Sequence, residues 1–271
     1  MHDFSEASEF TATGGDITVE DIDGIQLGAV NLNVNTDGTI TTNGGDLVLR
    51  SGGNVSQTEA LVAPGTVDIS ARNAAGTDVF DVVLTNEDND LSGEITILNA
   101  EDVSITNNAP GGTVLGVIVT SDNSTGSADV TINDGNDGDF QLTSSSGPVT
   151  QVTGTSITVS GSANIDAATN DVTLNEDNDF PDVGSGTALE IVGGSVSIKD
   201  IDSLRLGAVD VTALNAETLA GDLEVSDNIA ADGGDIKLTS SDDINVVSDV
   251  EITNSTGDVS LLAMSLSLIH I

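Results

Sequence analysis

The stretch Gly14–Val30 (GGDITVEDIDGIQLGAV) returns as Gly193–Val209 (GGSVSIKDIDSLRLGAV), identical at nine of seventeen positions, with like-for-like changes at most of the others. A chain that repeats itself stacks one supersecondary unit on another, which constrains its fold more tightly than any single motif. The two copies start 179 residues apart, and a half-period also recurs. Asn86-Glu87-Asp88-Asn89-Asp90 reappears as Asn175-Glu176-Asp177-Asn178-Asp179, 89 residues on. A third family recurs at shifts of 93 and 96 residues: Gly45-Asp46-Leu47, Gly138-Asp139-Phe140 and Gly234-Asp235-Ile236. The unit is therefore about ninety residues long, present roughly three times, at about 14–102, 103–192 and 193–265. Residues 1–13 read as a lead-in.

Within each unit the pattern is apolar-polar alternation: Val30-Asn31-Leu32-Asn33-Val34, Ile95-Thr96-Ile97, Val103-Ser104-Ile105, Ile157-Thr158-Val159, Val196-Ser197-Ile198, Val250-Glu251-Ile252. Period two in Val, Ile and Thr predicts strands. The clusters between them (Asp37-Gly38, Asn43-Gly44-Gly45, Asp134-Gly135-Asn136-Asp137-Gly138) supply turn geometry. The one helical candidate, Val211–Leu223, aligns with a strand-and-turn segment of the first copy, and strand and turn is the expectation there.

Many short strands without crossover helices leave a sandwich, a propeller or a parallel β-solenoid. Sandwich modules of this size build their centres on large aromatics, whereas the chain has no Trp, no Tyr and five Phe in 271 residues. Thin Ile/Val/Leu cores suit a solenoid, in which each coil is buried by the coils above and below. The expected fold is all-β, a right-handed parallel β-helix continuous over 14–265, with tandem β-sandwich modules as the alternative. At about twenty residues and about 4.8 Å per coil the rod would be roughly 60 Å long.

Composition narrows the chemistry. Forty-five acidic residues stand against five basic ones (Arg50, Arg72, Lys199, Arg205, Lys237), a formal net charge of −40. Such a surface repels nucleic acid and anionic membranes, and favours media in which salt or divalent cations screen it. Calcium is thus the one cofactor to consider, though none is required. Candidate oxygen ligands are Asp134, Asp137 and Asp139 in a stretch like half of a calcium-binding nonapeptide, and Glu87, Asp88, Asp90, Glu176, Asp177 and Asp179 in the two Asn-Glu-Asp-Asn-Asp turns. Solvated acidic turns are the plainer reading of the same residues. The repeated Asp-Ile-Asp (Asp21–Asp23, Asp200–Asp202) reads as an exposed coil corner, not a catalytic dyad.

An enzyme is not expected. The chain has no Cys, and its two histidines, His2 and His270, lie at opposite ends, so no nucleophile-histidine pair or histidine metal site is foreseen. A polysaccharide-degrading β-helix is the remote alternative, weakened by the missing Trp and Tyr on which sugars stack.

The succession Asn178-Asp179-Phe180, Val196-Ser197-Ile198, Leu206-Gly207-Ala208-Val209 and Gly221-Asp222-Leu223 resembles the repeats of large bacterial surface proteins of the filamentous haemagglutinin type. The likeness runs from about Gly14 to Ala263, in glycine- and β-rich motifs, and this chain is more acidic than expected of such repeats. The resemblance implies a right-handed β-helical rod at the extracellular bacterial surface: a stalk or adhesive fibre that meets a host, neighbouring-cell or matrix component through regions outside this chain, and adjoins further repeats of its own polypeptide. The N-terminus lacks a basic-then-apolar secretion signal, and no apolar run of about 18 residues suggests membrane insertion. A signal would then lie in missing sequence. Leu266–Ile271 resembles the translation of a transposon-based sequencing adapter, and is set aside from fold reasoning as expected read-through.

Overall fold

A computed structural model describes residues 9–32, 44–121 and 138–264. They form 25 β-strands with no helix among them, and every strand-to-strand ladder is parallel. The fold is a β-solenoid, as the alternation predicts. All-parallel pairing overturns the tandem-sandwich alternative, because sandwich modules are built from antiparallel hairpins and Greek keys.

One ladder runs the length of the described chain. It begins Ile17–Asp21, Leu47–Ser51, Val67–Ala71, Glu94–Ala100, Thr113–Thr120. It continues Val149–Gln151, Val172–Asn178, Leu189–Asp200, Leu204–Thr218, Ile236–Ser240, Val259–Ala263. Ten steps separate these eleven rungs, so at about 4.8 Å each the stack is about 48 Å tall. From Ile17 to Val259 the coils average about 24 residues, longer than the expected twenty. A second ladder, Ile25–Asn31, Val55–Gln57, Val82–Leu84, Val103–Asn107, Phe140–Ser144, Ala163–Asp166, Leu189–Asp200, closes another face. Val211–Leu223 is strand to Thr218 and then a turn, as its alignment with the first copy predicts.

The lumen is aliphatic. Leu47, Val67, Ile95 and Leu115 stack in register, and above them Val149, Val172, Val196, Leu214 and Ile236, all buried. Among the described residues only Phe140 and Phe180 bring a ring fully inside. Each buried Val, Leu or Ile contributes about 1.5–3 kcal/mol, so a narrow lumen suffices if the stack is long.

Three corners share a device that explains the Leu-Gly-Ala-Val repeat. Phe10 pairs with Leu27 and Ala12 with Val30; Ile95 with Leu115 and Ile97 with Ile118; Leu189 with Leu206 and Ile191 with Val209. In each, three steps of one coil face two of the coil below, a β-bulge that turns the strand onto the next face. The middle glycine lies against outward side chains of the coil below, which a larger residue would have to displace. A Cβ on Gly28 would lie 2.8 Å from Thr11 Cγ2, on Gly116 2.3 Å from Glu94 Oε1, and on Gly207 2.9 Å from Glu190 Cγ.

Candidate functional site

The polar residues the sequence singles out lie at the coil corners, and three arrangements account for most of them. The first lies inside the Asn-Glu-Asp-Asn-Asp turns. The fourth residue of each, Asn89 or Asn178, is fully buried. Asn89 Oδ1 accepts from Gln57 Nε2 and the Leu61 N–H, both at 2.9 Å. Its Nδ2 donates to Gln57 Oε1 at 2.9 Å, Leu84 O at 3.2 Å and Thr106 O at 3.0 Å. Asn178 repeats the pattern, with Gln151 Nε2 at 2.6 Å, the Ile157 N–H at 3.0 Å, and Nδ2 on Gln151 Oε1, Leu174 O and Lys199 O. A buried carboxamide with both ends satisfied by three coils locks their register, since a slip would orphan several polar groups.

The second is a chain of side-chain caps at strand starts. A residue just before a strand offers Oδ1 to the backbone N–H of its counterpart one coil later. It does so from Asp16 to Asp46, Asp46 to Thr66, Asn54 to Asp81 and Asp102 to Asp139. Asp139 to Ser162, Asp171 to Ser195, Asp222 to Asp243, Asn228 to Glu251 and Asp235 to Asp258 continue it. In return the carbonyl of the upper residue accepts the first N–H of the lower strand, as Asp46 O does from Ile17 at 2.8 Å. The carboxylate extends the backbone ladder one bond past the strand, a charge-assisted bond stronger than its neutral equivalent.

The third is the Asp-Ile-Asp corner. Its first carboxylate is not exposed, contrary to expectation: Asp21 is 4% accessible and Asp200 0%. What faces solvent is the isoleucine between, Ile22 at 46% and Ile201 at 39%. Asp21 Oδ1 accepts the Asp23 N–H at 3.0 Å and Asp200 Oδ1 the Asp202 N–H at 2.9 Å. In the middle unit Asn107 takes this place, its Oδ1 on the N–H groups of Ala109 and Leu91 and its Nδ2 on Leu91 O, Gly112 O and Thr113 Oγ1. Asp200 Oδ2 similarly accepts the Phe180 N–H at 2.8 Å. The Asp200 carboxyl is raised to about 8: burial is the largest cause, a side-chain hydrogen bond with Asp202 and the negative charge of Asp202 add to it, and the backbone donors of Phe180 and Asp202 oppose it. Burial also raises Asp179, with Asp202 and Asp182 adding repulsion.

The calcium candidates among the described residues do not come together. Asp134 and Asp137 lie outside the described residues. Asp139 is buried and engaged in the strand-start chain. Glu87 and Asp88 are exposed, and Asp90 bonds Ser92. Glu176 Oε2 accepts the Gly154 N–H at 3.0 Å, and Asp177 pairs with Lys199 at 3.0 Å. Among the described residues no group of three or more His, Cys, Asp or Glu is arranged to hold a metal ion. A groove of about 410 Å³ is an open strip on the outer face, lined along consecutive rungs by Thr173, Ser197, Asn215 and Lys237.

What the sequence missed was the buried Asn within an acidic motif, and the signal for it was present. Of the five repeated residues, Asn89 and Asn178 follow the preceding inward Leu84 and Leu174 at a short loop's distance, while a matching Gln, 57 or 151, sits one coil earlier after an inward Val.

No curated protein and no solved structure matches the chain. A family model of repeats of unknown function, DUF5649, matches residues 14–98 and again 100–187, and carries no link to haemagglutinin-like adhesins. Two consecutive matches cover more than half of the chain, which therefore belongs to the family of repeats of unknown function DUF5649.

Proposed function

We propose that this chain is a non-enzymatic structural segment: part of a stalk or adhesive fibre of a large secreted bacterial surface protein. The observation that carries the reading is the use of the conspicuous polar motifs. Asn89, Asn178, Asn107, Asp200 and the strand-start aspartates spend their hydrogen bonds on holding one coil to the next. A catalytic centre would require such groups to converge on a cleft with unspent donors and acceptors. Repetition supports the same reading, because a family defined by tandem repeats distributes its features along a length. Its partners are then adjoining repeats and a surface or matrix component reached through other regions, outside the cell.

Small-angle scattering on the purified chain tests the mechanical part. A rod cross-section of constant radius with a length near the 48 Å of the ladder is expected. A compact sphere would refute it. Extracellular placement is tested by surface labelling of intact cells of the source organism, where protection from an impermeant amine reagent would count against it.

A further inference from the structure

The fold converts composition into a line charge. The described residues hold 38 Asp and Glu against five Lys and Arg, a formal net charge of −33, or −32 with Asp200 protonated. These charges are carried on eleven rungs about 48 Å tall, which gives one net negative charge per about 1.5 Å of axis. Double-stranded DNA carries one per about 1.7 Å and holds a condensed counterion atmosphere for that reason. The charge is also spread out: 11 acidic residues fall in 44–121 and 22 in 138–264, so the density holds along the stack. Internal compensation is small. Three of the five cations are already paired, Arg50 with Asp68, Lys199 with Asp177 and Arg205 with Glu224, each to a carboxylate of an adjacent coil. Arg72 and Lys237 form no ion pair among the described residues.

We propose that the whole outer surface of the rod is a docking surface for Lys/Arg-rich polypeptide segments, bound through counterion release as duplex DNA binds them. Charge complementarity selects that occupant, and the rigid parallel stack supplies the spacing. Unlike a flexible acidic tail, the stack cannot relax its repulsion by extending, so the condensed ions remain at fixed density until a polycation displaces them. Binding of this kind needs no converging pocket. It has a signature that a specific site lacks: affinity set by the number of charges on the ligand and lost steeply with salt.

The test uses an eight-residue oligolysine labelled with a fluorophore, titrated by anisotropy from 20 to 300 mM NaCl. A slope of log K against log salt near −7 is expected, following about −0.9 per neutralised charge. A slope shallower than about −3, or no binding at 20 mM, overturns the proposal. Two triple variants separate a distributed surface from a local one: E59Q/E87Q/D210N, spread along the rod, and D232N/D242N/D249N, within its last coils. Equal, modest losses of affinity are expected. Loss confined to one variant would overturn the distributed reading in favour of a discrete site. Scattering on the same samples keeps this apart from the stalk proposal: a rod without binding refutes only the docking surface, and binding by a compact particle refutes only the stalk.

Discussion

Replacing Asp200 by Asn isolates one buried carboxyl in a molecule with 45 acidic groups. In the folded chain its ionisation is raised to about 8 from 3.8. Between those values the native state binds a proton that the unfolded state has released, so stability falls as pH rises through that window and levels off above about 8. At about 1.36 kcal/mol per pH unit the loss at pH 7, roughly three units above 3.8, is on the order of 4 kcal/mol. Asn is uncharged at every pH and nearly isosteric with the protonated acid. The corner is known to accept it, since Asn107 holds the same turn in the middle unit with its amide fully bonded. D200N should match the parent at pH 4 and exceed it progressively, by several kcal/mol at pH 8. Urea unfolding at fixed ionic strength, at pH 4.5, 6, 7.5 and 9, measures this as the difference between the two proteins, in which the pH dependence of carboxylates remote from the Asp200–Asp202 corner cancels. A difference that stays constant with pH would refute the reasoning, as would a variant whose stability falls as steeply as the parent's.

Other outcomes follow from the same contacts. Asn178→Ala strips the partners from Gln151 and the Ile157 N–H, and at about 1–3 kcal/mol per orphaned buried group should cost about 3–5 kcal/mol in the same urea assay; a cost under 1 kcal/mol would show that the amide pair is not a register lock. Gly52→Ala drives a Cβ to 2.0 Å from the backbone oxygen of Ile22 and should lower the melting temperature by far more than Gly111→Ala, which meets nothing within 4 Å; similar melting temperatures for the two would contradict the packing. Millimolar calcium should raise the melting temperature no more than the same concentration of magnesium, which screens the line charge equally, as the candidate carboxylates among the described residues do not converge; an increment with calcium over magnesium in scanning calorimetry would argue otherwise.

The fold class was legible because burial in a strand has a period of two, and runs such as Val103-Ser104-Ile105 display it directly. The coil path was harder to read. Coil length depends on corner insertions that carry no period, and the bulges at Leu27-Gly28, Leu115-Gly116 and Leu206-Gly207 shift the alternation by one residue where two faces meet. For the polar positions the difficulty was different in kind. Asp21 and Asp200 look like turn residues because the residue beside each is an exposed isoleucine, which inverts the usual relation between polarity and burial. Only the substitution by Asn107 in the middle copy hints at it, since an amide replaces a carboxylate without loss only where both serve as hydrogen-bonding groups.

That substitution bears on why the chain is so acidic. Seven aspartates and two asparagines cap strand starts for the coil above, and both side chains present the same Oδ1 to the same backbone N–H. Geometry alone would therefore be satisfied by asparagine throughout, and the preference for Asp must come from energy or from the surface. Energy supplies part, because a bond from N–H to carboxylate is roughly twice as strong as one to a neutral carbonyl. Against it stands repulsion where the counterpart one coil up is itself acidic, as from Asp16 to Asp46, Asp102 to Asp139, Asp222 to Asp243 and Asp235 to Asp258, about 0.9 kcal/mol per pair in water for charges at about 4.8 Å. These terms are of similar size and opposite sign, so the caps come close to neutral in stability while adding seven charges to the rod. Substituting all seven by Asn should then leave the melting temperature within a few degrees at 150 mM salt and raise it at 10 mM, where repulsion is least screened. A large loss at both salts would mean that the charge serves the coil contacts and not the surface.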